Sequence, residues 1–137
     1  MNPEQQFDFW LGEWDARWGE DGQGTNTVTR ILDEKIVQED FVAPDFHGMS
    51  FSSYDPERGL WCQTWVDNNG TYLDFTGLFE NEKMILSRHA IVRGEPCRQR
   101  MVWYNIEENQ FDWNWERSDD QGATWRTLWQ IKYTRKT

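Results

Sequence analysis

The feature that most constrains this chain is a period of two that begins after Gly12 and runs to the C-terminus. Short segments rich in β-branched and aromatic residues alternate apolar with polar positions, and DPERG, NNG, NE, RGEP, EEN and DQG separate them. Alternation sends neighbouring side chains to opposite faces of a strand, so each segment has one face to bury. About ten such strands joined by turn-forming residues, with no second helix among them, describe an antiparallel meander. A meander of that length closes most economically as an up-and-down barrel, because closure removes the unpaired edges. At 137 residues the chain is expected to be one domain, 1–137.

Ahead of the alternation, residues 1–11 read as a short capping helix. Asn2 suits the cap, Pro3 the first helical position and Glu4 the first turn, while Gly12 can end it. Phe7, Trp10 and Leu11 recur at helical spacing.

Turn chemistry then predicts register. Gly70 suits the left-handed position of a three-residue loop, which pairs Asp67 with Thr71, Trp65 with Leu73, Gln63 with Phe75 and Trp61 with Gly77. A four-residue loop from Pro56 to Gly59 pairs Tyr54 with Trp61, Ser52 with Gln63 and Ser50 with Trp65. Two-residue loops at Pro44-Asp45 and Glu34-Lys35 pair Phe41 with Gly48, Glu39 with Ser50 and Arg30 with Glu39. A loop at Asn81-Glu82 pairs Phe79 with Met84, Gly77 with Leu86 and Phe75 with Arg88. The strand RQRMVWYNI has two readings: a loop at 107–109 turns Met101 and Trp103 inward, and one at 108–109 turns Arg100, Val102 and Tyr104 inward.

The segment SDDQGATW, Ser118 to Trp125, fits the Asp-box pattern of sialidase propellers. One copy without an internal repeat cannot build a propeller, whose blades need stacked neighbours. An Asp-box-like hairpin is the simpler reading, with Ser118 and Asp120 holding the turn and Trp125 packing inward. It pairs Glu116 with Arg126, Trp115 with Thr127, Trp113 with Trp129 and Phe111 with Ile131.

Composition narrows the function classes. A formal net charge of −10 repels phosphate backbones and anionic lipid, so neither nucleic acid nor a membrane surface is an expected partner. No run is long enough for a transmembrane helix and MNPEQQFDFW does not look like a secretory signal, which makes the cytoplasm the expected location. Cys62 and Cys97 lack metal-like spacing and suit reduced thiols, with a disulfide between them left open.

The segments FDFWLGEWDAR, YDPERGLWCQTWVDNNGTYLDFTGLF, RQRMVWY and WNWERSDDQGATWRTLWQIKYTR together resemble the bacterial domain-of-unknown-function family 1579 across nearly the whole chain. That resemblance implies a lipocalin-like, or calycin-type, β-barrel, and Gly12-Glu13-Trp14 is similar to the Gly-x-Trp that opens lipocalin barrels. It implies no activity. The expected fold class is thus all-β, a single antiparallel lipocalin-like barrel with a short N-terminal helix covering one end.

If Trp61, Gln63 and Trp65 face inward, the registers place Arg30, Glu39, Ser50, Ser52, Tyr54 and Arg88 on the same face. Such a patch has a purely structural reading, in which Arg30 and Glu39 neutralise each other and fix register. Its binding reading makes Arg88 or Arg30 a carboxylate clamp for a small amphipathic ligand lying against Trp65, Trp113 and Trp115. An enzyme is the alternative, an isomerase or decarboxylase type with Glu39 as general acid or base and Arg88 and Tyr54 polarising the substrate. Glu39 and Glu116 fall on opposite faces, against a glycosidase pair. His47 and His89 should point outward, so no metal or other cofactor is expected; a haem barrel would need the opposite face assignment. Trp103, Trp113, Trp115, Trp125 and Trp129 also suit plain core packing. Outward aromatic residues would instead mark a subunit interface, which leaves a homodimer open.

Overall fold

A computed structural model describes residues 2–137. Ten strands follow one another: β1 Gly12–Trp18, β2 Gly22–Ile31, β3 Ile36–Ala43, β4 Phe46–Asp55, β5 Leu60–Asp67, β6 Tyr72–Glu80, β7 Lys83–Val92, β8 Glu95–Tyr104, β9 Gln110–Ser118 and β10 Arg126–Arg135. Each strand pairs antiparallel with the next, and β10 pairs with β1 to close the barrel. Closure satisfies the backbone groups that an open meander would leave at two edges. None of the helical segments is long and apolar enough to cross a membrane, among the described residues.

Most registers follow the turns. Trp61 pairs with Gly77, Gln63 with Phe75 and Trp65 with Leu73; Tyr54 pairs with Trp61 and Ser50 with Trp65; Glu39 pairs with Ser50. Asn81 and Glu82 both have positive φ, the backbone of a two-residue hairpin turn, and Phe79 pairs with Met84 across it. Of the two readings of β8, the one with Met101 and Trp103 inward holds: Trp103 pairs with Met84 and with Trp113.

Two hairpins differ from expectation. The β2–β3 connection spans four residues, so Arg30 pairs with Val37 and Glu39 with Val28. Leu32, Asp33 and Glu34 are consecutively left-handed, a conformation that none of these residue types announces, and the Arg30 guanidinium donates to Glu34 O at 2.9 Å to hold it. A shift of two residues keeps every side chain on its expected face but separates Arg30 from Glu39. In the β9–β10 hairpin the irregularity between Thr127 and Trp129 is a bulge, so Trp115 pairs with Trp129, Trp113 with Ile131 and Phe111 with Tyr133. Ahead of the bulge the register already differs by one, with Arg126 opposite Arg117, and Glu116 instead meets Arg100, its partner on β8, at 2.7 Å. Trp125 packs outside the barrel, its ring 4.0 Å from the Arg100 guanidinium, and not inward.

Residues 2–11 carry two short 3₁₀ turns, Pro3–Gln5 and Asp8–Trp10, in place of one continuous helix. Asn2 caps the first by accepting from Glu4 N at 3.0 Å. This segment seals one end of the barrel. Phe7 and Trp10 are buried there against Trp103 and, for Phe7, Trp61, with ring centroids 4.9–5.3 Å apart. Trp61 Nε1 donates to Pro3 O at 3.2 Å, and Arg30 donates to Glu4 O and to Asp8.

Candidate functional site

Across the middle of the barrel the inward positions of β2 to β5 turn polar. Asn26, Glu39, Ser50, Ser52 and Gln63 are all buried there. Glu39 Oε2 accepts from Asn26 Nδ2 at 2.9 Å, and Oε1 accepts from the Ser50 hydroxyl at 2.7 Å. Gln63 Nε2 donates to Ser52 Oγ at 3.0 Å, while Gln63 Oε1 and Asn26 Oδ1 have no partner among the described residues. Among the described residues no cation neutralises Glu39. The expected Arg30–Glu39 pair is therefore replaced by a carboxyl held by two neutral donors, and burial pushes its pKa from 4.5 up to about 7, the hydrogen bonds from Ser50 and Asn26 only partly opposing that rise.

On the side away from the plug this belt floors a cavity of about 330 Å³. Its wall carries Trp65, Trp113, Trp115 and Trp129 with Phe41, Phe46, Leu73, Phe75, Met101 and Ile131, while Glu39, Tyr133, Gln99, Asp67 and Thr71 supply the polar atoms. Gly48 makes the room for Trp65: a Cβ at Gly48 would stand 2.1 Å from the indole, so only glycine lets the ring lie flat on β4. Trp65 Nε1 donates to Asp67 Oδ2 at 2.9 Å. Burial raises the Asp67 pKa, but the hydrogen bonds from Trp65 and from the backbone of Asn69 and Thr71 outweigh it and hold the carboxyl below its ordinary value. Tyr133 is forced well above the ordinary phenol value by burial, with the nearby Glu39 charge adding to the effect.

The residues expected to share one site divide in four. Glu39, Trp65, Trp113 and Trp115 line the cavity. Ser50, Ser52 and Gln63 lie in the buried polar belt, Ser50 holding Glu39 and the other two bonded to each other. Arg30 and Tyr54 belong to the plugged end, where both flank a surface cleft with Glu4 and Asp8; neither reaches Glu39. Arg88 keeps the expected inward face, opposite Gln99 and 6.0 Å from the Phe75 ring, but its guanidinium is spent on Gln99 Oε1 at 2.7 Å and Asp74 O at 3.2 Å, so neither arginine clamps a lumenal carboxylate. His47 and His89 are exposed, and His47 lies 2.7 Å from Asp40.

Asn26, Gln99 and Tyr133 were missed. Asn26 and Tyr133 were signalled by alternation, Asn26-x-Val28-x-Arg30 and Trp129-x-Ile131-x-Tyr133 sharing the inward face. Gln99 continues the inward set of Met101 and Trp103. A wider groove of about 740 Å³ crosses the outside of the plugged end past Asn81, Lys83 and Glu107, and includes none of the polar belt. The hairpin at Ser118 is held as its side chains suggest: Gly122 N donates to Ser118 Oγ at 2.8 Å and Thr124 N to Asp120 Oδ1 at 2.8 Å. No family model matches the chain, and no curated protein matches it.

Proposed function

We propose that the barrel binds a small amphipathic molecule in its open half, apolar body against the tryptophans and polar end toward Glu39. The observation that carries this reading is the hollow itself. A wall of large aromatic side chains surrounds about 330 Å³ of space and converges on a few buried polar atoms, the composition common to small-molecule sites. The resemblance to the domain-of-unknown-function family 1579 and its lipocalin-like barrel supports the same reading, since barrels of that shape hold ligands at one open end. Native mass spectrometry of freshly purified protein tests it. A retained small molecule of discrete mass, lost on denaturation and displaced by an added apolar ligand, is the expected result; an empty barrel that binds no member of an amphiphile panel overturns it.

A second reading, an isomerase or decarboxylase type of enzyme, is favoured by one observation: a carboxyl near 7 can both accept and release a proton at neutral pH, and Tyr133 shares its cavity. Arg88 and Tyr54 do not line the cavity, so Tyr133 takes the polarising role in that reading.

A further inference from the structure

We propose that the ligand of the lumen is an organic cation, a primary ammonium on a short aromatic or aliphatic body, with Glu39 as its counter-ion. This rests on the lumenal-binding reading and assigns its chemical class.

Charge comes first. Two carboxyls, Glu39 and Asp67, line the cavity, and no Lys, Arg or His among the described residues does. The loops that ring the open end carry Glu20, Asp21, Asp45 and Asp120 with Arg93, while Asp119 is paired with Arg117 at 2.9 Å and lies 4.0 Å from Arg126. With Glu39 and Asp67 as its charged lining groups, the hollow favours a cation and opposes a carboxylate.

The wall is the second observation. Trp65, Trp113, Trp115, Trp129, Phe41 and Phe46 present aromatic surface to the hollow. Several indole and phenyl rings attract a desolvated ammonium through their quadrupoles, which offsets part of the hydration it loses.

Glu39 supplies the specific contact. It is more than nine-tenths buried, and each oxygen accepts one hydrogen bond from a neutral donor, which leaves lone pairs free for a further donor. Around it β2 contributes Asn26, β4 Ser50, β5 Trp65 and then Asp67, β8 Gln99 and β10 Tyr133; Arg88 of β7 is turned to Gln99 and Asp74, and Asp40 lies on the outer side of β3. Among the described residues no cationic side chain bonds to Glu39. A carboxyl left buried without a counter-ion favours its neutral form, and an arriving cation reverses that preference. Because burial holds Glu39 at about 7, an ammonium bound at pH 6 must expel its proton, and one bound at pH 8 need not.

Calorimetric titration with 2-phenylethylamine, 2-phenylethanol and 3-phenylpropanoate separates the alternatives. Expected at pH 8 is amine binding about tenfold tighter than the alcohol. Amine affinity should fall about tenfold from pH 8 to pH 6, with a heat at pH 6 that varies with the ionisation enthalpy of the buffer because a proton leaves. Glu39→Gln should abolish the pH dependence and the amine preference together. Alcohol or phenylpropanoate binding as tightly as the amine at pH 8 overturns the cation assignment and leaves the lumenal reading standing. Amine preference without proton release overturns Glu39 as counter-ion. If none of the three binds at millimolar concentration, the lumenal reading falls as well.

Discussion

Trp61 and Trp65 stand four residues apart on the same face of β5, yet they belong to two different regions. Trp61 is 1% exposed, wedged under Phe7 with its Nε1 bonded to Pro3 O. Trp65 is only half-buried, lying over Gly48 beside the cavity. The strand gives both residues the same direction; the N-terminal segment covers one and leaves the other facing space. Alternation decides where a side chain points, and a separate element decides whether anything meets it there. The plugged half is a core and the open half is a container, built from the same residue types. Between them Asn26, Glu39 and Ser50 form a hydrogen-bonded boundary, from which Glu39 reaches the cavity.

The largest effect that would break this comparison lies in the plug. Phe7 is fully buried and its ring meets those of Trp10, Trp61 and Trp103. Phe7→Ala removes a whole buried aromatic side chain from a packed site and should destabilise by about 3–5 kcal/mol, read as a lower urea midpoint at unchanged slope. A loss below about 1 kcal/mol would show that the plugged end is not the cohesive half, since even a single aromatic pair contributes about that much.

How far the sequence carries toward this division depends on what sets each feature. Glycine and asparagine turns fix strand faces locally, so the inward set Glu39, Ser50, Ser52, Gln63 and Trp65 was legible without any long-range information. The partner of Arg30 was not. Leu32, Asp33 and Glu34 adopt left-handed backbone without the glycine that would have flagged a four-residue turn, so the register slid by two and the arginine moved to Asp8. The bulge between Thr127 and Trp129 is likewise silent in sequence, because nothing in TLW distinguishes a bulged strand from a regular one. The plug was legible as a cover, but not which end remained hollow: that follows from how deep Phe7 and Trp10 reach, a tertiary fact.

A smaller effect sharpens the boundary between the halves. Glu39 holds its proton more tightly in the folded protein, at about 7, than at the 4.5 of an unperturbed glutamate. Between those values the folded state binds more protons than the unfolded state, so stability falls as pH rises through that window; the contribution is complete below pH 4.5 and lost above about pH 7. The full span is roughly 3 kcal/mol. Glu39→Gln removes the titrating group at nearly constant shape, so the variant should match the parent at pH 4.5 and exceed its stability by up to roughly 3 kcal/mol at pH 8. Asp67 and Asp120, both held below their ordinary range, act in the opposite direction at more acidic pH and cancel in the difference between the two proteins. Parallel stability curves for parent and variant across pH 5 to 8 would place Glu39 in water and dissolve the boundary.

The smallest effect on stability belongs to the open half, where it should come with the larger effect on binding. Trp113 is half-buried on β9, its ring edge-on to Trp129 with centroids 5.6 Å apart and one face toward the cavity. Trp113→Leu keeps an apolar residue at an inward position and forfeits chiefly that ring pair, a loss of about 1 kcal/mol in urea unfolding. In Phe7→Ala the removed atoms leave a void that nothing refills; in Trp113→Leu they widen a space that already exists, so the folded state has little further to lose. Affinity for a lumenal ligand should fall about tenfold, because the ligand loses one of the aromatic surfaces that replaced its water. A stability loss as large as that of Phe7→Ala would mean that the tryptophans of the open half hold the barrel together rather than furnish its interior, and the division into core and container would not hold.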